Sequence, residues 1–288
     1  MSLVSRKIDV VFRLGKGSFG DSGADTVTLK NLRVAASIVK AGGQSMGSAN
    51  LRIYGMTFSL MNQLSTLGPA PTLYRRNTVT VLAGDDVNGM GTVFVGTIVN
   101  AYTHFQMPEN PFMVEAYAGM IEALAPVPAS SFQGSADVAA IMSGLATQMN
   151  LVFENNGVNV KLSNPYFSGS PRNQVQACAE AAGIAWIIDG GKLAIWNPGE
   201  ARGGQVPLIS LATGLKGYPN YTSRGIMLET LYQPSIGFGV KINVQSDLKP
   251  ASGEWIPFTL QYQLDSLVPD GSWFISLEAA RPGYVVVR

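Results

Sequence analysis

Short apolar runs interrupted by glycine and proline are the feature that most limits how this chain can fold. The sequence contains 32 glycines and 16 prolines, spread between stretches in which apolar and polar residues alternate. Alternation with a period of two places apolar side chains on one face of a β-strand, and glycine and proline favour the turns between strands. The pattern predicts many short strands, and a length of 288 residues allows two or three domains.

Residues 1–130 are predicted to form a β domain. The alternating segments expected to be strands are 8–14, 26–32, 50–54, 78–81 and 92–99. The turn-rich residues 83–89 predict a hairpin between the last two strands. Met56, Leu60 and Leu64 have helical spacing and predict one short helix over 56–67. A glycine- and serine-rich segment, 41–48, is interpreted as a flexible hairpin tip.

Residues 131–202 change period and predict a small α+β module after a proline-rich break at 125–131. Ser135 is expected to cap a helix over 136–149. Ser170 is expected to cap a second helix, with Pro171 in its first position and Gly183 at its end. Strands are predicted at 151–154 and 158–162, followed by a hairpin of 184–188 and 192–196.

Residues 203–288 return to strand patterns after a second boundary at 197–204. A strand is predicted at 238–244, and a hairpin joins 256–264 to 273–277 through a turn at 269–271. The predicted fold class is therefore α+β, mostly β, with two β domains on either side of one module.

Charge and composition exclude several classes of function. The formal net charge is +1, and charged residues make up 14% of the chain, against ~25% in an ordinary soluble domain. A broad basic surface for nucleic acid is therefore disfavoured. Uncharged polar side chains and burial in a stable assembly are the two explanations we favour for so few charges.

A single cysteine and a single histidine rule out an intrachain disulfide, a cysteine-based zinc site and a multi-histidine metal site. We predict no metal and no cofactor. Because Arg6, Lys7 and Asp9 interrupt the N-terminus and no apolar run approaches ~18 residues, we expect a soluble chain without a secretory signal.

The G-x-G-x-x-G run at 15–20 resembles a phosphate-binding loop but lacks the partners such a loop needs. His104 is followed by Phe105 rather than by the rest of a kinase catalytic loop, and no Asp-Phe-Gly occurs. The residues after the run lead into a strand, whereas a Rossmann fingerprint opens a helix. We interpret the run as a loop between strands.

The remaining candidates for chemistry are few, and no catalytic residue is assigned. His104 is interpreted as a strand-end residue, and Cys178 as a small buried side chain on an apolar helix face. Asp85, Asp86 and Glu115 are the carboxylates that a glycoside hydrolase could use, although adjacent acids in such a loop are typical of a solvated turn. Glu109 and Glu122 are further acids. For the four tryptophans, core packing is favoured over a carbohydrate platform; they are Trp186, Trp196, Trp255 and Trp273.

Several collinear stretches together resemble the baseplate hub proteins of tailed bacteriophages. They occur in the same order and with similar spacing over nearly the whole chain. These stretches are 31–38, 40–43, 52–56, 62–68, 83–85, 93–98, 153–158 and 213–219.

The resemblance implies a structural protein of the virion, located in the tail baseplate and assembled in the host cytoplasm. It implies two tail-tube-like antiparallel β-barrel domains side by side, so that a homotrimer presents six similar domains. Such a ring adapts a six-fold tail tube or distal tail protein ring to a three-fold central spike or tail fibre. It also implies a channel for the tape-measure protein and for DNA in transit, no active site, and a module like those in hubs and secretin-type pores.

Two alternatives remain open from the sequence: a cell-wall glycoside hydrolase of a phage tail, and a free carbohydrate-binding module. The hub interpretation makes a specific demand on the fold. Residues 1–130 and 201–288 should share one β topology, with the excess of the first region in loops or short elements such as 56–67. Pairing of both regions into a single continuous sandwich would count against it.

Overall fold

The computed structural model describes residues 5–20, 23–66, 76–86, 89–105, 109–125 and 127–285. Every structural statement below concerns these residues. Within them, every helix is too short or too polar to span a lipid bilayer.

The N-terminal β unit comprises seven strands and one helix. Its elements are β1 (Arg6–Arg13), β2 (Thr26–Leu29), β3 (Val34–Lys40), β4 (Ser48–Ile53), α1 (Phe58–Leu64), β5 (Thr78–Asp85), β6 (Gly89–Thr103) and β7 (Phe112–Tyr117). All five predicted strands and the short helix are confirmed. Strands β3 and β7 were not predicted, although both alternate buried and half-buried side chains over most of their length. The predicted turn 83–89 is shorter than expected because β5 continues to Asp85.

The module, taken together with residues 120–130 that lead into it, contains three helices and a three-stranded sheet with the order β10-β14-β13. Its elements are α2 (Met120–Leu124), β8 (Ser130–Ser131), β9 (Ser135–Asp137), α3 (Val138–Gln148), β10 (Val152–Asn156), β11 (Lys161–Ser163), β12 (Tyr166–Phe167), α4 (Pro171–Ala182), β13 (Ala185–Asp189) and β14 (Lys192–Trp196). Helices α3 and α4 pack on the sheet around a separate apolar cluster that includes Met142, Leu145, Val175 and Leu193.

The predicted start is right for one of the two main helices and wrong for the other. The start of α4 is confirmed: Ser170 accepts a hydrogen bond from the Asn173 N–H, Pro171 is the first helical residue, and Gly183 ends the helix at φ 66°. The predicted cap of α3 is wrong, because the helix begins at Val138 and Ser135 lies two residues before the cap position. Asp137 is the cap, and its carboxylate accepts from the Ala139 N–H at 2.9 Å.

The C-terminal β unit comprises six strands and two 3₁₀ turns, Leu211–Thr213 and Lys249–Ala251. Its strands are β15 (Leu208–Ile209), β16 (Leu215–Thr222), β17 (Gly225–Leu231), β18 (Ile242–Val244), β19 (Gly253–Ser266) and β20 (Trp273–Ala280). The hairpin of β19 and β20 is confirmed, with Asp270 at φ 54° in its turn. The predicted strand 238–244 is too long, since only its last three residues form β18.

The strands of both β units belong to one 13-stranded sheet. Eleven of them follow the order β16-β17-β20-β19-β3-β4-β7-β6-β5-β1-β2, and β18 and β15 extend from β19. One buried apolar cluster likewise includes side chains of both units, among them Phe12, Phe94, Phe112, Tyr262 and Ile275. The mostly β, α+β fold class with a large antiparallel sheet is confirmed. The two β units share this sheet and this core, and closed barrels and the domain boundaries at 130 and 202 stay predictions.

Candidate functional site

The junction of the two β units is a hydrogen-bonded ladder between β3 and β19. The strands are antiparallel, and the register runs from Leu260 opposite Lys40 to Ser266 opposite Val34. Ser266 is 1% exposed; its hydroxyl accepts from the Val34 N–H at 3.1 Å and donates to the Leu32 carbonyl at 3.0 Å. The two units therefore meet edge to edge through a backbone ladder.

The same strand order occurs in both units. The N-terminal unit has the order β3-β4-β7-β6-β5-β1, and the C-terminal unit has β16-β17-β20-β19-β18-β15. Corresponding strands also follow one another in the same order along the chain. Every neighbouring pair is antiparallel in both units except the last, since β15 and β18 are parallel. The extra elements of the N-terminal unit are an edge strand, β2, and the helix α1.

A β-bulge marks the same position in both units. The register of β6 against β7 shifts between Ile98 and Asn100, and that of β19 against β20 shifts between Pro257 and Thr259. In each case the residue after the bulge faces a glutamate, because Asn100 pairs with Glu115 and Thr259 pairs with Glu278. Since a bulge fixes where a strand bends, its recurrence shows that the units correspond residue by residue here.

A short repeated motif accompanies the bulge. Glu115 lies in Val-Glu-Ala at 114–116, and Glu278 lies in Leu-Glu-Ala at 277–279. The apolar residue and the alanine are buried in both copies. This motif is the signal from which the repeat could have been found in the sequence, but three residues are too few to identify it without the strand pairing.

Arg172 of α4 links the module to the 41–48 segment through hydrogen bonds. Its side chain lies against the Trp186 ring, 4.9 Å from the centroid, and its Nη2 is 2.9 to 3.2 Å from three backbone carbonyl oxygens. Those carbonyls belong to Gly43, Gln44 and Ser45. Burial lowers the pKa of Arg172, and the nearby Glu122 partly opposes this. The segment is the predicted hairpin tip, since it joins the paired strands β3 and β4, and its carbonyls are also the acceptors that hold the module.

Two further cations link the module to the sheet. Lys40 of β3 forms an ion pair with Asp189 of β13 at 2.9 Å, and both side chains are largely buried. Burial lowers the pKa of Lys40, but Asp189 and Tyr262 together raise it more, so the net pKa lies above its ordinary value. Arg202 binds Glu154 of β10 at 3.1 Å and donates to the Phe238 carbonyl at 3.1 Å. The module is therefore attached to both β units.

The outward face of the sheet carries a polar groove of about 430 Å³ that crosses β19, β3, β4, β7 and β6. Its charged lining side chains are Arg52, Glu115 and Asp265. The uncharged polar side chains in its lining are Ser37, Asn50, Asn100, Tyr102 and Gln263. Apolar residues, among them Ala35, Leu51 and Met113, complete the lining. The groove is thus nearly neutral and partly apolar, and it spans the junction between the two β units.

The carboxylates considered for a glycoside hydrolase are not brought together. Asp86 is exposed and forms an ion pair with Lys7 at 2.6 Å. Asp85 pairs with Gly89 at one end of β6, whereas Glu115 pairs with Asn100 further along it, a span of roughly 30 Å along the strand. Glycosidase carboxylates need a separation of about 5 to 9.5 Å.

The other residues singled out in the sequence have structural positions. His104 is exposed immediately after β6, and its N–H donates to the Pro111 carbonyl. Cys178 has no exposed surface, and burial raises the pKa of its thiol to about 12. Glu109 forms an ion pair with Arg33 at 2.6 Å. Glu122 lies on α2, where burial raises its pKa.

All four tryptophans are buried, with exposures of 3 to 6%. Their assignment to the core is confirmed, and they offer no exposed platform for a sugar. The glycine-rich run links β1 to β2, and the Gly15 N–H donates to the Asn77 side chain; its following residues 21–22 lie outside the described ranges. Among the side chains that the structure describes, no group of three or more potential ligands could hold a metal ion.

Comparison with protein families identifies what this arrangement belongs to. The family described as baseplate hub gp41 matches residues 7–276. The chain belongs to the baseplate hub family. It is therefore a structural protein of the phage tail, as the resemblance in the sequence predicted. No curated protein matches the sequence.

Solved structures of tail proteins share the fold of this hub protein. The tail protein from Neisseria meningitidis MC58 superposes with a TM-score of 0.66 at 10% identity, covering 97% of both chains. The 43 kDa tail protein of prophage MuSo2 from Shewanella oneidensis gives 0.63 at 10% identity, over 95% of this chain and 97% of that one. The Escherichia coli c3393 protein, a type VI secretion component with similarity to the T4 tail proteins gp27 and gp5, gives 0.57 at 11% identity, over 86% and 73%.

Proposed function

We propose that this baseplate hub protein forms a homotrimeric ring in which three chains present six β units. The observation that carries the proposal is the strand order repeated in two units that are joined edge to edge within one chain. Six such units match a six-fold tail tube or distal tail protein ring. Three chains match a three-fold central spike or tail fibre. The protein adapts one symmetry to the other.

The ring encloses a channel for the tape-measure protein and for DNA in transit. The polar groove across β19, β3, β4, β7 and β6 supports this role, because its lining is nearly neutral. A strongly basic lining would hold DNA by its phosphates and slow its passage. The amide and hydroxyl side chains of the groove form a hydrated surface to which neither a polypeptide nor DNA binds tightly.

The module forms a fixed part of each subunit in the virion baseplate. Arg172, Lys40 and Arg202 tie it to both β units, so it moves with the ring. The small share of charged residues, 14%, agrees with extensive burial between stacked rings after assembly in the host cytoplasm. The separated carboxylates and buried tryptophans give no support to either alternative, the wall hydrolase or the carbohydrate-binding module.

Native mass spectrometry and end-on electron micrographs test the ring. The expected result is a species of three chains, seen along its axis as a ring of six similar densities around an open centre. A monomer at micromolar concentration that also fails to form rings in purified tails would overturn the proposal, as would any other copy number in those tails.

A further inference from the structure

We propose that β16 of one copy pairs with the C-terminal end of β6 in the next copy, which repeats between chains the ladder that β3 and β19 form within a chain. This inference rests on the proposed ring and identifies the surface that closes it. The reason is the correspondence of strands: β16 occupies in the C-terminal unit the place of β3, and β6 occupies in the N-terminal unit the place of β19.

The residue of β6 that takes part in this pairing follows from the two bulges. Asn100 and Thr259 correspond, because they follow the bulges and face Glu115 and Glu278. Counting four residues onward along β6 and β19 places His104 in the position of Gln263. His104 is exposed, as a residue at an outer junction should be.

The residue of β16 that takes part in this pairing follows from the strands that pair with the two glutamates. Glu115 pairs with Asn50 of β4, and Glu278 pairs with Met227 of β17. Asn50 in turn pairs with Ser37, and Met227 pairs with Asn220. Asn220 of β16 therefore occupies the position of Ser37 on β3.

Within the chain, these positions lie directly opposite one another. Gln263 pairs with Ser37, and the Gln263 amide donates to the Ser37 hydroxyl at 2.9 Å. The repeat consequently places His104 of one copy opposite Asn220 of the next. Both side chains are polar and exposed in the single chain, and they are able to form an equivalent hydrogen bond.

Among the described residues, both proposed edges lack a second strand partner and carry exposed aromatic side chains. β16 is the last strand of the described sheet, next to β17, and its Tyr218 and Tyr221 are 58% and 57% exposed. Beyond Thr97, the described part of β6 pairs with β7 on one side and with no strand on the other. Phe105, just past its end, is 68% exposed and stacks on Phe58. Open edges of this kind are templates for pairing with another chain.

One backbone position of the β6 edge is already occupied. Thr66 donates its N–H to the Ala101 carbonyl at 2.8 Å, and its hydroxyl accepts from the Ala101 N–H at 2.8 Å. The neighbouring copy therefore pairs at Thr103–Phe105, where the register places Tyr221 opposite Thr103. Such a contact joins different surfaces of the two copies, so each copy binds the next head to tail. The copies form a closed ring when the rotation from one to the next divides a full turn, here after three chains.

Cysteine cross-linking in purified tails tests this register. The variant carries His104→Cys with Asn220→Cys and is treated with a short bis-maleimide, which we expect to leave the buried native Cys178 unlabelled. The expected result is a shift of the hub band from 30.6 kDa to two and three times that mass. The matched control, Asn220→Cys with Gln148→Cys on α3, should remain at the mass of one chain.

Ser37→Cys with Gln263→Cys serves as the positive control, because it must cross-link within one chain and consume both thiols without changing the mass. If that control reacts and the His104/Asn220 variant stays monomeric in tails that contain three copies, the junction is wrong and the ring stands. If the tails do not contain three copies, the ring itself is wrong. A product that stops at the dimer would indicate a two-fold contact and would also overturn the junction.

Discussion

Replacement of Arg172 by alanine tests how the module is held on the sheet. The Nη2 nitrogen carries two N–H groups, so the three carbonyls around it share at most two full hydrogen bonds. A bond from a charged donor contributes about 1.5 to 3 kcal/mol, and the contact with Trp186 adds about 1 kcal/mol. Because water can solvate some of the released carbonyls, we expect Arg172→Ala to cost about 3 to 4 kcal/mol.

Hydrogen exchange measures this loss locally. The Gly43 N–H donates to the Trp186 carbonyl across the same contact, so its exchange should accelerate more than 100-fold, a factor that corresponds to about 3 kcal/mol. Arg172→Lys should recover only part of the protection, since an ammonium cannot reproduce the planar guanidinium. Arg52→Ala, at an exposed position on β4, is the control and should leave exchange unchanged. Unchanged exchange at Gly43 in Arg172→Ala would refute the reasoning.

Three further predictions follow from buried or paired groups. Lys40→Met should cost about 3 kcal/mol in urea unfolding by leaving Asp189 buried without its partner, and pairing it with Asp189→Leu should restore most of the loss. Because the folded pKa of Lys40 lies above its ordinary 10.5, its stabilisation is complete below pH 10.5 and is lost as the pH rises through the folded pKa; Lys40→Met should remove that alkaline loss. Cys178 should resist thiol reagents at pH 8 in the folded protein and react only on unfolding, and rapid native labelling would contradict its burial. Asp85→Asn with Asp86→Asn should leave phage infectivity close to wild type, whereas a large loss with folding intact would revive a catalytic role for these acids.

Local patterns predicted most individual elements correctly. Ser170, Pro171 and Gly183 specify both ends of α4, because a cap, a fixed φ and a left-handed residue act within a few residues of the helix. The start of α3 was misplaced because Ser135 and Asp137 are both good caps. Pairing of β9 with β11 decides between them, and that pairing involves Lys161, 24 residues away from Asp137.

Contacts between distant parts of the chain could not be predicted in the same way. Arg172 looks like an ordinary helix residue in the sequence, and its role depends on carbonyls more than 120 residues away. Backbone carbonyls are present at every position, so no side-chain pattern identifies the ones that a buried cation will bind. The same holds for the β3–β19 ladder, whose alternating strands could each have paired with several others.

The repeat within the chain shows why a hub can lose almost all sequence similarity between its two β units. Edge-to-edge junctions are formed by backbone groups, and any alternating sequence with the correct register can supply them. What must be kept is the position of the bulge, because it sets the bend that aims the end of β6 or β19 at its partner. Side chains are free to change wherever they only cover the sheet. Val-Glu-Ala and Leu-Glu-Ala mark the place in each unit where the bulge and the buried face coincide, so substitutions at Ala116 and Ala279 should disturb assembly more than substitutions elsewhere on β7 and β20.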